Sequence, residues 1–380
     1  IVDDKTNLAI KWTATYDGVA VNPCNATPAA GAPAFHAINV TPPTGVAKPA
    51  GNMSFIRSYA QGDDFIIGKG TSPGQPGSVS VTTVNTTCVG TEATTTIPVE
   101  TGLPAGITKG MVALQGKPWL PAIDPKDADK VMQVRAFTPT REWTIGTGAL
   151  PATERREVAD SAACVKCHVG SLYQHGGNRV DNVTMCVMCH NPASSEQNVR
   201  LTTLGGVDAT ESYDGLAGQT YEFKSMLHAI HSAGHEGQKP IVIYRSNGIY
   251  AWAPSVDLLR NWPGTGSQTV FGAGIDPATG ATWKKTHNFH TPTYPRGLNE
   301  CGACHTADFA VVPDQAKAMA TTVDTGASYT DQTDDVLRGA GQAACTSCHQ
   351  DAASKAHAIQ NGWDVSKLEN GRQTIIDLAK

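Results

Sequence analysis

An N-terminal all-β domain, built as a sandwich or split barrel and followed by a loop-rich, mainly helical domain, is the fold class that this 380-residue chain predicts. Three observations carry the prediction. Residues 1–150 alternate apolar and polar side chains in short runs separated by turn clusters. Four copies of Cys-x-x-Cys-His all lie beyond residue 160. Gly (38) and Pro (23) are so frequent that long uninterrupted elements are not expected.

In the first domain, Leu8–Tyr16 and Ser78–Val84 read as strands of period two. Thr41-Pro-Pro-Thr-Gly45 and Ser72-Pro-Gly-Gln-Pro-Gly77 read as turns. Cys24 and Cys88, the two cysteines outside the repeated motifs, both fall here. In an exported protein they are expected to pair, the alternative being two buried thiols. Ala149–Asp160, with Pro151 and Glu154-Arg-Arg-Glu157, reads as a connector. The domain boundary is therefore set at 1–150 and 151–380.

The second domain carries Cys164-Val-Lys-Cys167-His168, Cys186-Val-Met-Cys189-His190, Cys301-Gly-Ala-Cys304-His305 and Cys345-Thr-Ser-Cys348-His349. This pentapeptide is the attachment signal for covalent c-type haem. The two cysteines bond the two vinyl groups, and the histidine ligates the iron from one face. Four copies predict four covalently bound haem c groups, with His168, His190, His305 and His349 as proximal ligands. Zinc ribbons would use the same Cys spacing, but they need no histidine after each second cysteine. Disulfides across two-residue gaps strain local geometry and leave the histidines unexplained. The second domain is thus expected to be a loop-rich, mainly helical multihaem domain.

Four irons need four further axial ligands, and eight other histidines are present. With so many imidazoles, bis-histidine haems of low potential are the simpler expectation. Tyr221–Gly234 reads as one helix, with Phe223, Met226, Leu227 and Ile230 at helical spacing and Gly234 as its stop. His228 and His231 project from nearly one face of it, placed to hold two haems edge to edge. His175 follows the first motif in Gln-His-Gly-Gly177, where glycines allow a flat ring to approach. His357 follows the fourth motif on an expected helix, Ala352–Gln360. His175, His228, His231 and His357 are the expected distal ligands. His287, His290 and His36 are held as further distal or intersubunit candidates. His235 reads as a hydrogen-bonded or solvated side chain.

The remaining composition narrows the function. A net charge of −5 and scattered basic residues offer no polybasic face for nucleic acid. No run approaches the 18 apolar residues of a membrane span, since Pro240–Leu259 is broken by Arg245, Asn247 and Asp257. Haem is attached outside the cytoplasmic membrane, so export is expected, and a chain beginning at Ile1 fits removal of a signal peptide. No cysteine stands at the start for a lipid anchor. The expected location is extracellular or at the cell surface, with the periplasm as the alternative. No Ser/His/Asp set, phosphate loop or carboxylate pair points to a catalytic residue.

Several words outside the motifs resemble the OmcA/MtrC family of extracellular multihaem cytochromes. They are Arg155-Arg-Glu-Val158, Gln174-His-Gly-Gly177, Cys189-His-Asn-Pro192, Phe223-Lys-x-Met-x-His-x-Ile-His231, Tyr294-Pro-x-x-Leu-Asn299 and the fourth motif with His357 and Asn361-Gly362. The resemblance covers about 150 to 363. It implies a β-rich domain before a pentahaem domain, and a haem wire passing electrons to minerals, flavins or partner cytochromes. It aligns His175, His228, His231 and His357 with distal positions. A fifth motif is absent here, which leaves surplus histidines and suggests ligation between copies in a filament.

The expected function is extracellular electron transfer by a tetrahaem cytochrome, to minerals, electrodes, soluble shuttles, partner cytochromes or copies of itself. The competing class is a multihaem reductase with one open haem site. A structural surface protein packed around haem is the third.

Overall fold

A computed structural model describes residues 1–24, 53–69, 74–121, 131–196, 218–245, 248–255, 286–310, 318–323, 335–361, 365–369 and 372–375. His36 and the turn at Thr41–Gly45 lie outside the described residues. The chain forms two compact units. One comprises Ile1–Gln61, Phe65–Cys189 and Gly302–Phe309; the other comprises Gly62–Asp64, His190–Cys301 and Ala310–Lys380.

The first unit contains two larger antiparallel sheets and a ribbon of β10 (Trp119–Pro121) with β11 (Val131–Gln133). One runs β1 (Val2–Asp3), β2 (Asn7–Tyr16), β8 (Glu92–Pro98), β7 (Thr86–Val89), with β3 (Val19–Val21) hydrogen-bonded to β2. The other runs β12 (Thr140–Thr144), β9 (Lys109–Gln115), β4 (Ser54–Gln61), β5 (Asp64–Ile67), with β6 (Gly77–Ser80) on β4. Leu8 and Ile10 of β2 are buried while Lys11 is exposed, the inward–outward alternation of a half-covered strand. Trp12 meets Phe55 edge-on at 6.4 Å, and the Trp143 indole N–H donates to Asp3 Oδ2 at 3.0 Å, so the sheets stack as a sandwich. Gly110 of β9 lies against Trp143, and a Cβ there would stand inside the indole ring. A disulfide joins Cys24 to Cys88, 64 residues apart.

Strand β4 is buried on both faces. Phe55 and Tyr59 face the sandwich interior. Ile56 and Ala60, with Phe65, Met111 and Ala113, pack instead against Met185 and Met188. These methionines belong to helix α2 (Val183–Cys189), so the outer face of the sheet is the bed on which the second motif rests. A small ribbon, β13 (Tyr173–Gln174) with β14 (Arg179–Val180), is fastened to the same region: the Gly116 N–H donates to Asn178 O at 2.9 Å.

The expectation of a mainly helical multihaem domain is not met. Among the described residues the structure is mostly β-sheet, with five short helices of five to ten residues. These are α1 (Ser161–Val165), α2, α3 (Phe223–Ser232), α4 (Ala340–Cys345) and α5 (Ala352–Asn361). Between them run β15 (Ile241–Arg245), β16 (Gly248–Trp252) and β17 (Thr286–His290) in one sheet, then the ribbons β18 (Thr321–Val323) with β19 (Val336–Arg338) and β20 (Val365–Glu369) with β21 (Arg372–Ile375). The physical reason lies in the spacers. Runs such as Ile-Val-Ile-Tyr at 241–244 are β-branched and aromatic, and they favour a pleated surface. An attachment motif itself occupies only about one helical turn, so the motifs call for little helix.

Helix α3 organises the second unit. Glu222 caps it, its carboxylate accepting from the Ser225 N–H at 3.3 Å and pairing with Lys224 Nζ at 2.9 Å. Met226 and Ala233 pack against Ile241 and Ile243 of β15. The Ser225 hydroxyl donates to Ala343 O of α4 at 3.4 Å, which brings the fourth motif beside it.

Candidate haem centres

Each motif is built on a tight turn. In the first, Asp160 caps α1 by accepting from the Ala162 N–H at 2.8 Å. The N–H groups of Cys167 and His168 then donate to Cys164 O at 3.2 and 3.0 Å. The fourth repeats the pattern: Cys348 and His349 donate to Cys345 O at 3.2 and 2.9 Å. Both thiols and the imidazole are thereby carried on one turn. The second motif ends α2, and the third begins with a 3-10 turn, Cys301–Ala303. None of the eight motif cysteines is in a disulfide.

Three motifs are neighbours. The Asp160 N–H donates to Cys304 O at 2.9 Å, the Thr306 N–H donates to Val158 O at 3.1 Å, and Ala159 bridges His305, so the third motif is laced to the residues just before the first. The Val183 N–H donates to Ser161 Oγ at 2.9 Å, joining the starts of α1 and α2. The first motif thus stands between the second and the third.

Burial pushes the Cys186 thiol up to about 12, with Arg179 opposing. Burial also raises Cys189 against Arg179, Cys164 with help from Cys304 and Asp160, and Cys348 against the Ser232 hydroxyl. Among the described residues, no group of three or more His, Cys, Asp or Glu side chains is placed to hold a metal ion.

The imidazoles are the more telling test. His190 Nδ1 lies 2.8 Å from Tyr221 O, His305 Nδ1 lies 2.9 Å from Val158 O, and His231 Nδ1 lies 2.8 Å from Leu227 O. A carbonyl only accepts, so Nδ1 carries a proton, and in the neutral imidazole that leaves Nε2 as the nitrogen with the lone pair. That is how a metal-ligating histidine is held by its second hydrogen bond. Aromatic rings steady each imidazole: Tyr221 and Phe223 at 5.6 and 6.3 Å from His190, Phe309 stacked at 4.2 Å on His305, and Tyr294 at 5.7 Å from His231. Apolar side chains also stand exposed beside the motifs, among them Val169 (89% exposed), Tyr173, Leu298 and Val336. Such surface suits a flat apolar macrocycle. The residues fit haem c.

Residues 156–375, more than half of the chain, match the family model described as outer membrane cytochrome MtrC/MtrF-like, domains II/IV. The chain belongs to this family.

Haem c is the cofactor of MtrC/MtrF-like cytochromes. Two solved structures resemble this chain at 16% identity. MtrC from Shewanella baltica OS185 has a TM-score of 0.38, with 80% of this chain and 40% of that one covered. The decahaem outer membrane cytochrome OmcA has a TM-score of 0.35, with 66% and 36% covered. This MtrC/MtrF-like chain therefore spans well under half the length of either. No curated protein matches it. Among the described residues no helix is long and apolar enough to cross a membrane.

The other histidines are placed as follows. His228 and His231 share α3, as the helical spacing implies. His175 sits at the tip of the β13–β14 ribbon with φ +54°, and Gly176 (+72°) and Gly177 (+85°) continue the left-handed path. His357 is exposed on α5, and His168 and His349 are exposed beside their motifs. His287 and His290 lie on β17, a strand rather than a helix; His290 is exposed and stacks on Trp252 at 5.5 Å. His235 is half-buried; its Nε2 has no hydrogen-bond partner among the described residues, and its ring is 6.5 Å from Tyr294. Nothing in the spacing of His235 signals this, because the loop carrying Tyr294 is remote in sequence.

Proposed function

We propose that this chain is a tetrahaem electron conduit of the cell surface, passing electrons to extracellular acceptors such as minerals, electrodes or soluble shuttles, or to partner cytochromes. Bound haem c supplies one-electron chemistry between ferric and ferrous iron. The chain supplies the rest. Cys164, Cys167, Cys186, Cys189, Cys301, Cys304, Cys345 and Cys348 would anchor four haems. His168, His190, His305 and His349 would bind the irons as proximal ligands; His175, His228, His231 and His357 would be the distal ligands and would keep small molecules out.

The observation that carries this reading is the triple anchoring of His190, His305 and His231 through Nδ1, which leaves the Nε2 of each as the nitrogen that would bind iron. The test is to purify the exported protein, count haems by the mass of the denatured chain, and expose the reduced protein to carbon monoxide. Four haems and no carbon monoxide complex are expected. A haem that binds carbon monoxide would favour the competing reductase, which needs an open site.

A finer reading concerns assembly. His290 is exposed and pinned by stacking on Trp252, so it is presented as a ligand for a haem of a second copy. A head-to-tail contact that does not close builds a filament. Monomers only, at high concentration and with four six-coordinate haems, would exclude it.

A further inference from the structure

Cations gather at the β13–β14 ribbon. Arg135 lays its guanidinium over the Tyr173 ring, with Cζ 3.2 Å from the centroid. The same side chain runs along Gly177, whose missing Cβ would stand 3.2 Å from Arg135 Cγ and Nε. Lys117 Nζ donates to Gly176 O at 3.1 Å. Arg179, across the ribbon from Gln174, is held by a bond from its Nε to Gln115 Oε1 at 2.9 Å. That bond engages a neutral acceptor. The ribbon's own carboxylate, Asp181, is turned to the Leu172 N–H at 2.6 Å. Three positive charges therefore gather at the ribbon whose tip carries His175, and the described carboxylate beside it, Asp181, is engaged by a backbone amide.

Two of the three are fixed against the turn that carries His175, by a bond to one glycine and by the space left by the other. A Cβ at 177 would press on Arg135, and the positive φ there favours glycine. The turn thus positions an imidazole and two cations together, which suits a ligand carrying both a metal and carboxylates. A haem has this composition, with two propionate carboxylates on one edge.

We propose that Arg135, Lys117 and Arg179 clamp the propionates of the haem capped by His175 and raise its reduction potential. The proposal rests on the tetrahaem reading. Cations beside the propionates cancel negative charge that would otherwise stabilise ferric iron, and Arg offers carboxylates two parallel N–H donors.

The test uses the full haem-loaded chain. Redox titrations of wild type, Arg135→Gln, Arg135→Lys and Arg179→Gln are resolved into four one-electron components. A His175→Met variant marks the relevant component, since His/Met ligation raises it. In Arg135→Gln that component alone is expected to shift about ten-fold towards the oxidised form, about 59 mV for one electron. Arg135→Lys should recover most of the shift. Four haems by mass with all four potentials unmoved in both glutamine variants would overturn the clamp and leave the conduit standing. Fewer than four haems in the wild type would overturn the tetrahaem reading itself. A uniform shift of all components would mark general surface charge and also overturn the clamp.

Discussion

His305 Nδ1 donates to the carbonyl of Val158 at 2.9 Å, across 147 residues of sequence. The Thr306 N–H donates to the same carbonyl at 3.1 Å, and the Thr306 hydroxyl donates to Glu157 O at 3.2 Å. The third motif is therefore oriented by the connector that precedes the first. His305→Ala should leave its haem bonded through Cys301 and Cys304 but open one axial position. The denatured mass should be lower only by the side-chain change, and the reduced variant should bind one carbon monoxide per chain.

The second motif separates attachment from packing. Met185 and Met188 anchor α2 to the sheet, while Cys186 and Cys189 lie between and after them. Cys186→Ser with Cys189→Ser should remove the mass of one haem from the denatured chain. Met188→Ala, by contrast, should keep the full mass and cost about 2–5 kcal/mol of stability in denaturant titration.

The bond between Cys24 and Cys88 closes a loop of sequence separation 64. In the chain-entropy account, losing such a link costs about 4 kcal/mol. Replacing both with Ser should lower the thermal midpoint while leaving the visible haem spectrum unchanged.

Glu142 is buried on β12. Burial raises its carboxyl above the ordinary value of 4.5, against the Arg155 N–H at 2.8 Å and Lys109 Nζ at 3.5 Å, which pull it down. The folded state thus binds this proton more tightly than the unfolded chain. Its contribution to stability is complete below pH 4.5 and fades as pH rises through the raised folded value. Glu142→Gln keeps an acceptor for Arg155 and removes the titration. Denaturant midpoints measured upward from pH 4.5 should therefore fall less in the variant than in the wild type.

Gly110 packs under Trp143. Gly110→Ala forces the indole or β9 to move and should cost about 1–3 kcal/mol. The Trp143 fluorescence maximum should shift as its bond to Asp3 is disturbed.

Local patterns were legible to different degrees. The β2 strand was visible because its alternation is a period of two along one segment, and α3 because its apolar positions recur at helical spacing within fourteen residues. Ser78–Val84 was legible only in part: β6 stops at Ser80, and the chain turns where Thr82 and Asn85 bond each other. The second half departs from the expected mainly helical domain. The spacers, rich in β-branched residues, pair as ribbons instead.

The amino-acid order alone determined where haem can be bonded, because that chemistry is contained in five consecutive residues. It also determined that His228 and His231 share a helix, since the i, i+3 relation is local. Tertiary structure alone decided which carbonyl orients His190 and His305, that the first motif stands between the second and third, and that cations gather at the ribbon whose tip carries His175. Those outcomes depend on backbone groups and charges brought together from far along the chain, and no short-range pattern records such meetings.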